Sequence, residues 1–303
     1  MERGQTLHQI DIRGSEYNTV ISESIDKLLD LSWYSKPEHV EIDSISDPSR
    51  KVHGFLWLPR NPKHTAPEGQ LPPLIVSAHG GPTGYSGCGL TQKVQYFTSR
   101  GYAYCLLNYN GSTGHGRTYR RNLYENWGIF DADDAADLAS HFVSQGITRP
   151  GAAGITGLSA GGYNTLMALV RHPKAFAGGF CVSGISDLQR FDDTTHKLEY
   201  DYTPALVLPK GSSKEDKIKL YRERSALYHL DEIESPLFLL HGKADTVVPL
   251  EQASLMADAL KKKGKEVEII EVEDEGHMMA KPSSMRTWVS EEEKWWRRTL
   301  LRV

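Results

Sequence analysis

Cysteines are scarce in this sequence. It has three in 303 residues, Cys88, Cys105 and Cys181, and no two of them have the C-x-x-C spacing. Disulfide frameworks and cysteine-ligated zinc sites need cysteines in even or closely spaced sets. The sequence therefore predicts neither a disulfide framework nor a zinc site. We expect a protein that binds no metal and that works in the reducing environment of the cytoplasm.

Long apolar runs and an excess of cations are also missing. The longest apolar stretches are about eight residues, well short of the roughly 20 that a membrane-spanning helix needs. The first residues, Met1–Gln5, lack the apolar character of a secretory signal. The 35 lysines and arginines against 39 acidic residues give a formal net charge of −4, whereas nucleic-acid binding requires surplus cations. We expect neither a membrane nor a nucleic-acid partner.

Glycine-rich nucleotide motifs are absent too. The two glycine clusters at 84–89 and 111–116 do not have the order G-x-G-x-x-G, and neither carries the lysine of a P-loop. No organic cofactor is expected.

The pattern that is present is a regular alternation of short apolar runs with amphipathic segments. Runs of this length, each followed by a helix, are typical of a mostly parallel sheet covered on both faces. The predicted strands are Thr6–Ile12, His39–Ile45, Lys51–Leu58, Leu74–Ala78, Tyr102–Leu107, Ala153–Thr156, Gly178–Val182, Leu237–Leu240 and Val267–Val272. The predicted helices are Asp131–Gln145, Gly161–Arg171, Glu251–Lys263 and Met285–Leu301. The charged, tyrosine-rich segment Ser183–Leu230 interrupts the alternation and is interpreted as an insertion near the site.

A candidate nucleophile lies between one of these strands and the next helix. Residues 157–161 read G-L-S-A-G, the G-x-S-x-G pattern with Ser159 at its centre. In a strand–turn–helix context, this pattern places a serine hydroxyl above the sheet, and the small neighbours avoid collisions in a strained turn. The helix that follows directs its positive end toward that hydroxyl. The context predicts an activated serine.

A serine becomes nucleophilic when a histidine takes its proton and a carboxylate fixes the histidine tautomer. In this arrangement the acid and then the histidine follow the serine along the chain. Asp245 follows the strand Leu237–Leu240, and His277 follows the strand Val267–Val272. The rival residues Asp274, Glu275 and His241 are interpreted as surface or loop residues.

Acyl transfer also needs donors for the developing oxyanion. The amide of Ala160, the residue after the nucleophile, is one candidate. The second is the amide of Gly81, in the His79-Gly80-Gly81-Pro82 loop that follows an early strand. Glycines there allow the backbone to approach a substrate oxygen closely.

These residues resemble the catalytic domain of the prolyl oligopeptidase family of serine peptidases, in the branch of dipeptidyl aminopeptidases and acylaminoacyl peptidases. The resemblance runs from about Ser35 to the C-terminus. It is carried by ordered blocks that include Lys36–Glu38, His79–Thr83, Asn108–Gly116, Trp127–Gly128 and Ser159–Tyr163. It implies an α/β-hydrolase fold, a triad of Ser159, Asp245 and His277, and an oxyanion hole from the Gly81 and Ala160 amides.

The departures from the family pattern bear on the substrate. We divide the chain into a short N-terminal extension, 1–35, and a catalytic domain, 36–303. About 35 residues are too few for the β-propeller that family members usually carry, because each blade needs four strands. Val247 stands where some relatives have an arginine that binds a substrate carbonyl.

The sequence therefore predicts a serine hydrolase that cleaves an amide or ester bond of a small-molecule or short peptide substrate, and it favours a small-molecule ester, lactone or amide over a peptide. A serine-dependent cyclase or acyltransferase, a true aminopeptidase or acylaminoacyl peptidase, and a binding protein without catalysis are the alternatives. Assembly into a homo-oligomer is left open. The residues expected to line the substrate pocket are His79, Tyr109, Trp127, Tyr163 and Val247.

Overall fold

Eight strands form one twisted sheet, in the order β10-β9-β8-β7-β5-β6-β4-β3. The computed structural model describes residues 6–10, 17–23, 30–194 and 201–303, with the first two ranges described as backbone only. The strands of the chain are β1 (Thr6–Ile10), β2 (Tyr17–Glu23), β3 (Pro37–Asp43), β4 (Lys51–Trp57), β5 (Leu74–Ala78), β6 (Ala103–Asn108), β7 (Ala153–Leu158), β8 (Gly178–Val182), β9 (Leu237–Gly242) and β10 (Val267–Val272). Among the described residues, β1 and β2 form a separate two-stranded antiparallel sheet.

The six strands β5 to β10 run parallel to one another. At one edge of the sheet, β4 pairs antiparallel with β6, and β3 pairs antiparallel with β4. The central strands are almost fully buried, because helices cover both faces and apolar side chains occupy both. The predicted α/β-hydrolase fold with its mostly parallel sheet is confirmed.

Helices cover both faces of the sheet. They are α1 (Gln92–Thr98), α2 (Gly116–Arg121), α3 (Phe130–Ser144), α4 (Ala160–Arg171), α5 (Leu188–Thr194), α6 (Tyr202–Val207), α7 (Lys214–Glu223), α8 (Glu251–Lys262) and α9 (Pro282–Trp296), which continues as a π-helix over Arg297–Leu301. None of the helices in the described part of the chain is both long and apolar enough to cross a bilayer.

Two hydrophobic clusters form the core, one on each face of the sheet. One face is covered by α3, α4 and α8. The other is covered by α1 and by α9, whose Trp296 is completely buried. A methyl group on Gly154 of β7 would lie 2.5 Å from the Trp296 ring, so this helix requires a glycine in the strand beneath it.

Most differences from the predicted elements are at their ends. The strands predicted at Leu74–Ala78, Gly178–Val182 and Val267–Val272 have the observed bounds. The last two residues of the predicted strand Thr6–Ile12 lie outside the described residues. The predicted insertion contains three α-helices in its described part, α5 to α7, and the short 3₁₀ helix Ala226–Tyr228. Among them, α7 begins with a capping box, in which Ser213 and Asp216 satisfy each other's backbone amides.

Candidate active site

The candidate nucleophile lies in a strained turn at the carboxyl edge of the sheet. Ser159 joins β7 to α4 with φ 61° and ψ −121°, a conformation that residues other than glycine rarely adopt. Its amide donates to the carbonyl of Val182 in the neighbouring strand at 3.0 Å, and its carbonyl accepts from the Tyr163 amide at 2.9 Å. These bonds fix the backbone of the turn, so the hydroxyl is held at the N-terminus of α4.

Two glycines allow this turn to approach its neighbours. A methyl group on Gly161 would lie 2.2 Å from the carbonyl oxygen of Ala78, and one on Gly157 would lie 2.3 Å from the carbonyl carbon of Gly161. Both contacts are with backbone atoms, which cannot move aside as the end of a flexible side chain could. The G-x-S-x-G pattern therefore has a steric cause that is visible in the fold.

We expect Gly161→Ala to lower the free energy of unfolding by at least about 2 kcal/mol, because the added methyl group would overpack a contact between backbone segments. Chemical denaturation monitored by circular dichroism measures this loss. Gly89→Ala is the matched control, since a methyl group there meets nothing within 4 Å. Equal stability of the two variants would contradict the steric argument.

The acid and the histidine expected to serve Ser159 are hydrogen-bonded to each other. His277 Nδ1 lies 2.8 Å from Asp245 Oδ2. The other carboxylate oxygen of Asp245 accepts the amides of Val247 and Val248, both at 2.9 Å. The loops after β9 and β10 are joined by a bond of 2.9 Å from the Ala244 amide to the Glu275 carbonyl. The carboxyl ends of the parallel neighbours β9 and β10 therefore bring these two loops together.

The carboxylate of Asp245 is held in its ionised form. Burial opposes ionisation and would raise its pKa, but hydrogen bonds from His241, His277 and the Val248 amide together lower the pKa well below its ordinary value. Its side chain is fully buried, whereas that of His277 is 13% exposed. The imidazole of His277 is therefore partly accessible to solvent and is hydrogen-bonded to a buried carboxylate.

His241 takes part in this arrangement, although it was interpreted as a surface or loop residue. That interpretation was wrong, because His241 belongs to β9 and is completely buried. Its Nε2 lies 2.8 Å from the Val248 carbonyl and 3.5 Å from Asp245 Oδ2. A carbonyl can only accept, so Nε2 carries a proton and points it at this oxygen pair. The apolar run Leu237–Leu240 immediately before His241 was the sequence feature that indicated its burial.

Glu275 also contributes to the position of His277. It lies in the loop as predicted, yet it is only 3% exposed. Its carboxylate accepts the amides of Ala280 and Lys281 at 3.1 and 2.9 Å. The chain is thereby closed into a tight turn around the histidine.

The hydroxyl of Ser159 is not hydrogen-bonded to this pair in the described part of the structure. The hydrogen bonds of the described residues include the one between His277 and Asp245 but none between His277 and Ser159. Catalytic hydrogen bonds of this kind often form only when a substrate is bound.

The predicted oxyanion loop lies directly over the nucleophile turn. A methyl group on Gly80 would be 3.5 Å from Ser159 Cβ and 3.1 Å from the Leu158 carbonyl oxygen. Gly81 has φ 135°, which a residue with a side chain rarely adopts. Ala160 is the first residue of α4, where a backbone amide has no carbonyl partner within its own helix. Both amides predicted as donors thus belong to segments that flank Ser159.

The five residues predicted for the substrate pocket differ in exposure. Tyr109, Trp127 and Tyr163 are at most 2% exposed. The last two pack ring against ring with centroids 4.5 Å apart. His79 is part-buried and Val247 is 46% exposed. The first three therefore present almost no surface to a substrate, while His79 and Val247 have atoms in contact with solvent.

The structure was also searched for side chains that could bind a metal ion. Within residues 30–194 and 201–303, whose side chains the structure describes, no three His, Cys, Asp or Glu side chains form a cluster that could hold one.

Comparison with known proteins identifies relatives for most of the chain. The family model described as Prolyl oligopeptidase family matches residues 89–302. Dipeptidyl aminopeptidase BIII of Pseudoxanthomonas mexicana is 30% identical over 254 residues, which are 82% of this chain and 36% of that protein.

Solved structures agree with the sequence match. A puromycin-hydrolyzing peptidase of Mycobacterium tuberculosis superposes with a TM-score of 0.92 at 34% identity, over 99% of this chain and 44% of that one. The acylaminoacyl peptidase of Pyrococcus horikoshii superposes with a TM-score of 0.77 at 26% identity, over 88% of this chain and 42% of that one. The chain thus spans less than half the length of these relatives.

Proposed function

Because this chain belongs to the prolyl oligopeptidase family, we propose that it is a serine hydrolase that cleaves an amide or ester bond through an acyl-enzyme on Ser159. The observation that carries the proposal is the 2.8 Å hydrogen bond between His277 and Asp245 at the edge of the sheet where the strained turn of Ser159 lies. A histidine so oriented is the base that a serine nucleophile requires.

The positions of the protons on His277 and Asp245 support these roles. An ionised carboxylate can only accept, so His277 donates from Nδ1 to Asp245. The neutral imidazole then has an unprotonated Nε2, which can take a proton from the Ser159 hydroxyl. A tautomer with the proton on Nε2 could not act in this way.

The proposed reaction has two halves. The Ser159 oxygen forms a bond to the substrate carbonyl carbon while His277 takes the hydroxyl proton, and the Gly81 and Ala160 amides donate to the resulting oxyanion. His277 returns the proton to the departing amine or alcohol as the carbonyl reforms. A water molecule then attacks the acyl-enzyme with His277 again as the base, which releases the acid and restores the serine.

For the substrate, we propose an amide of an amino acid or a short peptide. The relatives are named as an aminopeptidase, an acylaminoacyl peptidase and a puromycin-hydrolyzing peptidase, all of which denote cleavage at an amino acid. The small ester or lactone expected from the sequence, and acyl transfer to an acceptor other than water, are outcomes that the following experiment separates.

Turnover of aminoacyl-naphthylamides and of puromycin, compared with that of p-nitrophenyl acetate, tests the substrate class. We expect Ser159-dependent release of naphthylamine or of the puromycin aminonucleoside, with the free acid as the other product. Activity on the ester alone would favour the esterase function. A cyclic or transferred product detected by mass spectrometry would favour the cyclase or acyltransferase.

A further inference from the structure

A second concave region, which we call the amino-edge cavity, lies at the edge of the sheet opposite Ser159. Residues just before β5, β6 and β7 line it, among them Pro73, Tyr102 and Arg149. Because these strands are parallel, their amino ends share one edge of the sheet and their carboxyl ends share the other. The cavity has a volume of about 1140 Å³, comparable with the larger sites that hold small organic molecules.

One wall of the amino-edge cavity is the connection between β4 and β5, residues 58–73. This connection is tied to the rest of the protein near both of its ends. Near its start, Asn61 Nδ2 donates to the Ser99 carbonyl at 2.8 Å. Near its end, the Pro72 carbonyl accepts the Arg149 amide at 2.9 Å. A cavity whose walls are fixed in this way can bind a ligand with little cost for ordering the chain.

Positive charge is in excess in this cavity. Among the described residues, the arginines that line it are Arg60, Arg100, Arg149 and Arg297. The acidic side chain among the described residues on its lining is that of Glu293. Val303 also lines the cavity, and a terminal carboxylate there would still leave four cations against two anions. A concave surface with an excess of one sign concentrates its field and attracts ions of the opposite sign.

The carboxylate of Glu293 is already engaged by groups other than Arg297. Its Oε1 lies 3.3 Å from Arg100 Nε, and its Oε2 accepts the hydroxyl of Tyr96. In the part of the chain that the structure describes, Arg297 forms no ion pair and its side chain donates no hydrogen bond. Its guanidinium group therefore remains available to a ligand.

Two more of the arginines are held by backbone carbonyls. Arg60 Nε donates to the Ser32 carbonyl at 2.7 Å, and the guanidinium of Arg149 donates to the Leu300 carbonyl. Neither has a carboxylate partner among the described residues. A carbonyl restricts the orientation of a guanidinium group but does not neutralise it, so both charges remain uncompensated.

Apolar side chains lie beside these cations on the lining of the cavity. Leu58 is 39% exposed and Leu71 is 37% exposed. Leu301 of the C-terminal π-helix lines the cavity as well and is part-buried. Exposed apolar side chains within a cavity provide the contact area for an apolar ligand.

We propose that the amino-edge cavity is a binding site for a small organic anion, a molecule with a carboxylate or phosphate group and an apolar body. The planar fork of a guanidinium group matches the geometry of both kinds of anion. Arg297 is the principal contact for the anionic group, and the leucines contact the apolar body. This site goes beyond the proposed function, since it uses no group of the Ser159 site.

The test is a ligand-observed NMR titration of the protein with hexanoate and with hexyl phosphate. Hexanol and inorganic phosphate are the matched probes, because each retains only one half of the proposed ligand. We expect saturable binding of at least one of the two organic anions, at least about tenfold tighter than that of hexanol or inorganic phosphate. The tighter of the two identifies the preferred anionic group.

Arg297→Gln is expected to weaken binding of that anion by at least about tenfold, because a charged hydrogen-bond donor is lost. Arg298→Gln is the matched control. Arg298 is the next residue, its guanidinium pairs with Glu266 and Glu268, and it does not line the cavity. We expect its affinity to equal that of the unmodified protein. Thermal melting shows whether each variant folds, and Arg60→Gln replaces Arg297→Gln if the latter does not.

Absence of saturable binding of both organic anions would overturn the inference, as would equal affinity for hexanol. Binding that is unchanged in a folded Arg297→Gln protein would also overturn it, because the anion would then bind elsewhere, for example near Ser159. Equal losses in the Arg297→Gln and Arg298→Gln variants would mean that only the overall charge matters, which contradicts a built site.

Discussion

Replacing Ser159 by alanine is expected to lower kcat by about 10⁶-fold, and replacing His277 by alanine is expected to have a similar effect. The double variant Ser159→Ala/His277→Ala should be no slower than either single variant. The reason is that the histidine acts only by taking the proton of the serine, so once one of them is gone the other has nothing left to contribute. Steady-state kinetics on a p-nitrophenyl ester measures all three.

Additive losses in the double variant would contradict this prediction, because they would mean that the two residues act independently. Tyr228→Phe is a suitable control for a change elsewhere at the surface. Its hydroxyl donates to Asp187 at 3.0 Å and the residue is 47% exposed. We expect this variant to retain kcat within about twofold.

Asp245→Asn is the second substitution with a large expected effect, a fall in kcat of about 10⁴-fold. The amides of Val247 and Val248 occupy one carboxylate oxygen, and they would bind the single oxygen of an asparagine. The NH₂ group would then face His277 Nδ1, where it can only donate. The imidazole would be forced into the tautomer with its proton on Nε2, which cannot accept from Ser159.

Steady-state kinetics across pH 5 to 9 checks this second prediction. The pKa of Asp245 is lowered well below its ordinary value, so the carboxylate is ionised over this whole range and its titration gives no limb to the profile. Asp274→Asn is the matched control, three residues before His277 in an exposed turn where asparagine tolerates the positive φ of 52°. An Asp245→Asn enzyme as active as this control would contradict the role of Asp245.

The sequence was sufficient for those parts of the fold that are set by burial on both faces of a strand. Apolar runs such as Leu74–Ala78 are bounded abruptly, here by two prolines before the run and by a histidine and two glycines after it, so their ends could be read directly. The strand β2, Tyr17–Glu23, and the short helices α1 and α2 were not predicted. Helices of six or seven residues complete fewer than two full turns, which is too short for a helical period to emerge.

The candidate site was predictable for a topological reason. Parallel strands bring their carboxyl ends to one edge, so residues after β7, β9 and β10 could be placed together without knowledge of any contact. The supporting contacts of His241 and Glu275 could not be deduced in this way. They depend on which side chain faces a backbone carbonyl or amide in a folded loop, and the pattern of residue types does not encode that orientation.

The most direct test of the central claim is the rate at which a fluorophosphonate modifies the protein, with the modified residue located by peptide mass spectrometry. The account predicts a single adduct on Ser159, formed at least about 10³-fold faster than in the His277→Ala variant, because only a serine whose proton is accepted by a histidine reacts at such a rate. An adduct at another residue, or labelling of Ser159 at the same rate with and without His277, would contradict it.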